Sequence, residues 1–156
     1  PWFENTIFVF VADHGKLVGT PENEMPEACN HVPFMIYGKD IKPNHISNFG
    51  GQIDVAPTLL GILGIGYTQN NFGVDLLKEQ RPCSFYTDDN LVAARDSAHL
   101  YLHSPETGQE FCYAIQDGTL NSSASDANFE ALKEYVFSML QATEQLVKEG
   151  KTTTNP

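Results

Sequence analysis

Asp13-His14-Gly15 is the stretch of this sequence whose residue types could do chemistry. A carboxylate oxygen and a neutral imidazole are good ligands for Zn²⁺ or Mn²⁺. The glycine lets the backbone turn without a Cβ clash. Adjacent side chains inside a strand point to opposite faces, but at a strand end, where the chain turns, both can converge on one ion. The same residues have a second reading, in which Asp13 caps the following turn and His14 is a satisfied core histidine. His31, just before Val32-Pro33, reaches the Asp13 end of the sheet only if its strand runs antiparallel to the first; otherwise it is a loop histidine with a packing role. His99 and His103 share a face of one predicted strand, but their spacing is about 13 Å at strand rise, too far for one ion. They read as surface or half-buried residues. His45 lies in a polar loop, and Lys16 either meets an anionic substrate or is solvated. Thr20, Ser47 and Thr58 have no local arrangement that would activate them as nucleophiles. G-x-S-x-G, phosphate-loop and dinucleotide fingerprints are absent from the sequence.

The elements that must position these residues follow from patterning. Ile7 to Ala12 is an unbroken apolar run, predicted as a strand buried on both faces, as in the middle of a parallel sheet. Asp13-His14-Gly15 then lies at its carboxyl end, where open α/β sheets usually place ligand sites. Lys16 to Asn30, with Pro21 and Pro26, reads as a long functional loop too broken for a helix. His31 to Gly38 is a second strand, with Pro33 near its start. Asp54 to Gly64 is a helix with Asp54 as N-cap, Pro57 in the first turn and a terminal glycine. After Arg81-Pro82 the texture changes to short segments at 84–87, 91–94, 99–103 and 110–115, an antiparallel meander with a hairpin at 104–108. A long amphipathic helix runs from about Asp126 to Lys148, with Ser123 to Ser125 as cap and Gly150 as stop. The expected organisation is therefore the edge of an α/β sheet over 1–80, a small antiparallel sheet covered by a long helix over 81–150, and a frayed tail over 151–156.

Lys plus Arg is 9 and Asp plus Glu is 20, so the formal charge is −11. Such a surface repels nucleic acid, which is excluded as a partner in the absence of any basic cluster. An acidic protein that handles phosphate or sulfate esters needs local positive charge, and a metal ion supplies it. No apolar run is long enough to span a membrane. Cys29, Cys83 and Cys112 show no zinc-ribbon spacing and read as buried thiols, with one disulfide as the alternative.

Four motifs in order, Trp2–Thr6, Phe8–Gly15, Asn30–Gly38 and Gln52–Leu60, resemble the sulfatase branch of the alkaline phosphatase superfamily, most of all its lipoteichoic acid synthase and phosphoglycerol transferase group. The resemblance implies that residues 1–80 are the C-terminal part of an alkaline-phosphatase-like α/β core. It implies phosphate or sulfate esters as substrates and a divalent metal (Mn, Zn, Mg or Ca) as cofactor in the intact enzyme. Asp13 and His14 match the family's aspartate–histidine metal pair, and His31 matches a histidine often found before the Val-Pro strand, an active-site neighbour rather than a ligand. The family's nucleophile and early acidic ligand lie upstream of the matched motifs. This chain is thus expected to be a piece of a larger enzyme, inactive and without bound metal when alone. Its partners would be the remainder of that enzyme and a second copy pairing through an exposed sheet edge. An extracytoplasmic location, periplasm or cell surface with an anchor outside this stretch, is implied as well. The alternative is a non-catalytic structural or interaction module; within the enzyme class, sulfuric ester hydrolysis competes with phosphoglycerol transfer.

Overall fold

The computed structural model describes residues 2–88 and 90–152. The chain divides into two compact units, Pro1–Ser47 and Asn48–Pro156.

In the first unit a 3-10 turn, Phe3–Asn5, leads into β1, Phe8–Val11. A single helical turn, α1 (Glu27–Asn30), precedes β2, Phe34–Tyr37. The two strands pair antiparallel, with Phe8 opposite Tyr37 and Val11 opposite Phe34. The parallel, doubly buried setting expected for β1 is therefore not what the described residues form. The Gly15 N–H donates to the Cys29 carbonyl at 2.8 Å. That bond closes the intervening loop at the carboxyl end of β1, so β2 starts there and returns. An apolar run carries no information on strand direction, which explains the difference. Directly opposed residues share a face, so Phe8, Phe10, Met35 and Tyr37 lie on one face and Val9, Val11, Phe34 and Ile36 on the other. Trp2, Phe3, Phe8 and Tyr37 form a ring cluster, Trp2 edge-on to Phe3 and Phe8 and the other pairs tilted, with ring centroids 5.5 to 6.2 Å apart. Even so, Phe10, Met35 and Tyr37 are 52%, 55% and 56% exposed.

The second unit begins with a 3-10 turn, Gln52–Asp54, that runs into α2, Val55–Leu63. Gly64 ends α2 in the left-handed region, φ 66°, as the sequence pattern predicts. Asp54 does not cap α2 with its side chain; its carboxylate turns back to the Gly51 N–H at 2.9 Å and across to the Val74 N–H at 2.8 Å. A five-stranded antiparallel meander follows: β3 (Ser84–Asp88), β4 (Leu91–Arg95), β5 (His99–His103), β6 (Glu110–Gln116) and β7 (Thr119–Ser122). The Ser104–Gly108 hairpin joins β5 to β6, closed by Ser104 N–H to Gln109 O at 2.9 Å. β7 extends the meander by a strand that the sequence reading did not include.

α3, Ala127–Lys148, packs on β4 and β5. Its cap is Asp126, which accepts from the N–H of Asn128 at 2.8 Å and of Phe129 at 3.3 Å, rather than Ser123 to Ser125. An aspartate oxygen reaches two of the orphan amides of the first turn, and its charge suits the positive end of the helix. Phe129, Leu132 and Val136 project into a core with Cys83, Val92, Ala94 and Tyr101. Burying each of the large apolar side chains stabilises the unit by roughly 1.5–3 kcal/mol. Gly150, at φ 63°, follows the end of the helix.

Candidate metal centre

β1 delivers Asp13 and His14 just past its last residue, Val11. Their side chains are exposed, 88% for Asp13 and 75% for His14, so they are neither a core histidine nor its buried partner. The His14 backbone N–H donates to Asp13 Oδ1 at 2.8 Å. That bond, followed by the neighbouring imidazole, holds the Asp13 carboxyl below the usual carboxylate range. The carboxylate is thus ionised at neutral pH, the form that binds a cation.

The imidazole is oriented by the backbone. His14 Nδ1 lies 2.7 Å from the Gly15 carbonyl oxygen. A carbonyl only accepts, so this contact requires a proton on Nδ1, and in the neutral ring that leaves Nε2 as the basic nitrogen. Nε2 stands 3.8 Å from Asp13 Oδ2. Two ligands of one Zn²⁺, each at ~2.0–2.2 Å, sit about that far apart or slightly closer. A ring N–H given to a backbone carbonyl is the usual second contact of a metal-bound histidine. The donor set and its orientation therefore fit a divalent cation. Among the described residues, no group of three or more His, Cys, Asp or Glu is placed to hold one.

The Gly15–Cys29 bond sets the 27–31 segment beside the Asp-His turn, so His31, at the C-cap of α1, reaches the same end of the β1–β2 pair. It is exposed. The remaining histidines lie elsewhere. His99 is half-buried, its Nδ1 3.1 Å from Asp96 Oδ1, and its ring meets Phe129 edge-on. His103 is buried, with its ring 4.9 Å from that of Phe137. Both sit on the α3 side of the sheet and serve packing. Cys29, Cys83 and Cys112 are free thiols; burial pushes Cys83 up to about 11, which leaves it an inert core thiol.

One polar centre escaped the sequence reading. Asp54, fully buried, receives Arg81 Nη2 at 2.6 Å and Nε at 3.0 Å, and Arg81 also donates to the Phe72 carbonyl. The available signal was the scarcity of arginine: Arg81 and Arg95 stand against 20 acidic residues.

Comparison with known proteins places these elements. Residues 3–65 match the Sulfatase family model. Arylsulfatase K of Homo sapiens is 37% identical over 113 residues, covering 69% of this chain and 19% of that protein. The lipoteichoic acid synthase-like protein YvgJ of Bacillus subtilis strain 168 is 32% identical over 96 residues, covering 51% of this chain and 16% of that protein. A crystal structure of a protein in the alkaline phosphatase superfamily from Vibrio parahaemolyticus superposes with a TM-score of 0.79 at 22% identity, over 99% of this chain and 38% of that one. The fold of the chain is thus that of part of an alkaline-phosphatase-superfamily protein. It spans less than a quarter of the length of the two curated relatives named, 19% and 16%.

Proposed function

We propose that this chain, a sulfatase-branch member of the alkaline phosphatase superfamily through residues 3–65, is one part of a metal-dependent enzyme that hydrolyses or transfers phosphate or sulfate esters. Asp13 and His14 supply one side of its metal site. What supports this reading is the orientation of His14: its Nδ1–H is given to the Gly15 carbonyl and its basic Nε2 turns toward the Asp13 carboxylate. A divalent cation held there would neutralise charge on the transferred group and lower the pKa of the nucleophile. The chain's own residues hold an ionised carboxylate and an imidazole whose Nδ1 faces the Gly15 carbonyl at the end of β1. His31, exposed at the C-cap of α1, would be an active-site neighbour able to donate to an ester oxygen.

The remaining ligands and the nucleophile belong to the rest of the enzyme, which is also the natural cover for the exposed apolar face of β1 and β2. The arylsulfatase relatives favour sulfate-ester hydrolysis; the lipoteichoic acid synthase-like relative favours phosphoglycerol transfer. Both kinds of relative fit an extracytoplasmic location. The experiment is to assay the full-length enzyme, wild type and Asp13→Ala, on an aryl sulfate and on a phosphodiester, with Mn²⁺ or Zn²⁺ and with chelator. Metal-dependent turnover lost in Asp13→Ala is expected. Wild-type turnover in that variant would remove Asp13 from the mechanism. The chain alone is expected to be inactive with either metal, and turnover above buffer background would expose a nucleophile within it.

A further inference from the structure

We propose that Gly15 is the positioning residue of the Asp13–His14 pair: it sets the tautomer of His14 through its carbonyl, and only glycine can occupy the position. Three observations converge on it. The Gly15 carbonyl oxygen lies 2.7 Å from His14 Nδ1, where it can accept a hydrogen bond only from a protonated Nδ1. The Gly15 N–H is tied to the Cys29 carbonyl at 2.8 Å, which fixes the direction of the peptide units around it. A Cβ built on Gly15 would overlap the Ala28 carbonyl oxygen, which is backbone and cannot rotate away.

The glycine is thus not needed for a left-handed turn, since Gly15 is not among the positive-φ residues. It is needed for close approach. A side chain there would push the Asp-His turn off the 27–31 segment, break the Gly15–Cys29 bond and swing the carbonyl away from Nδ1. His14 would then revert to the Nε2–H form that predominates in an unconstrained neutral imidazole, and the nitrogen facing Asp13 would carry a proton instead of a lone pair. The consequence for metal binding rests on the proposed function; the tautomer itself does not. Loss of an outer contact of this kind lowers metal affinity about 10- to 100-fold.

The test is long-range ¹H–¹⁵N spectroscopy of the histidine rings in the metal-free chain at a pH where His14 is neutral, for wild type and Gly15→Ala. Wild type is expected to show His14 as the Nδ1–H tautomer with a Gly15 amide protected from exchange, and Gly15→Ala to show mainly Nε2–H. A packing role for Gly15 would lower stability without moving the tautomer. Wild-type His14 in the Nε2–H form overturns the proposal, as does an Nδ1–H ring retained in a folded Gly15→Ala chain. Should Gly15→Ala not fold, the wild-type spectrum decides: an Nδ1–H ring with a protected Gly15 amide supports the proposal, and an Nε2–H ring or an unprotected amide overturns it. Mn²⁺ titration of the full-length enzyme separates the two readings. Absence of His14 broadening there would remove the metal reading and leave the tautomer result standing.

Discussion

Arg81 grips Asp54 at two points, Nε to Oδ2 at 3.0 Å and Nη2 to Oδ1 at 2.6 Å, with the carboxylate wholly out of solvent. The same carboxylate takes the N–H groups of Gly51 and Val74. One side chain thereby joins the start of α2, the 72–74 connector and the entry to the meander.

Removing either partner leaves the other as an uncompensated buried charge. Arg81→Met is expected to destabilise the second unit by about 3–5 kcal/mol, and Asp54→Ala at least as much, since two backbone amides also lose their acceptor. Urea unfolding of wild type and both variants measures this. A loss under about 1 kcal/mol would mean that the pair is solvated in the native state.

Gly61 lies inside α2, where glycine normally costs about 1 kcal/mol against alanine. Here alanine is expected to be the worse residue. A Cβ at Gly61 would overlap the Asp75 carboxylate, which packs against the helix. Asp75 is pinned by Lys78 Nζ at 2.7 Å and by the Leu77 N–H at 3.0 Å, so it cannot withdraw freely. Gly61→Ala should therefore lower stability by roughly 1–3 kcal/mol, the usual range for overpacking, read by thermal or urea denaturation. A stabilised Gly61→Ala chain would show that Asp75 moves aside without penalty.

The Lys78 ammonium, bonded to Asp75, holds that carboxyl below its usual range. A depressed native value means that the contribution to stability is present above the unfolded value of 3.8 and is lost as pH falls through the native one. Lys78 is largely exposed, so the effect is screened. Lys78→Met is expected to lower stability near pH 6, and the difference from wild type should shrink as the solution is acidified below the native value. Urea titrations at the two pH values test this; a difference that grows on acidification would reverse the sign of the coupling.

The extent to which sequence foretold structure varies with the range of the forces involved. α3 was legible because its burial repeats at 3.6 residues, with Phe129, Leu132 and Val136 facing the core; β5, buried from Leu100 to His103, was legible as a short apolar run bounded by turn residues. The end-of-strand place of Asp13 and His14 was legible because an apolar run stops there. The direction of β2 was not, because Ile7 to Ala12 and Val32 to Tyr37 are apolar on both faces and pair equally well either way. β7 was missed although Asp117-Gly118, with φ 49° and 74°, is a strong hairpin signal; Thr119 to Ser122 is too polar to read as a strand. The role of Asp54 was hidden because Arg81 is 27 residues away and only folding brings the two together. At Gly15 a backbone turn is not what requires glycine, since its φ is not positive; the constraint comes from Ala28 across the loop, which no local pattern shows.

Phe10, Met35 and Tyr37 place three large apolar side chains on one exposed face of β1 and β2, and among the described residues each strand of the pair has one edge without a strand neighbour. In the enzyme proposed above the rest of the polypeptide covers this face. The chain by itself is expected to pair with a second copy there. Full burial of each of these side chains is worth roughly 1.5–3 kcal/mol, opposed by repulsion between copies of charge −11. Salt screens that repulsion and leaves the apolar term, so association should strengthen from low to physiological ionic strength. Light scattering after size exclusion should show a dimer or larger species at high concentration. Met35→Glu should weaken association by about tenfold or more, since ~1.4 kcal/mol corresponds to one decade and a carboxylate would have to leave water. A monomer at every concentration and salt level, with Met35→Glu indistinguishable from wild type, would show that this face does not bind a second copy.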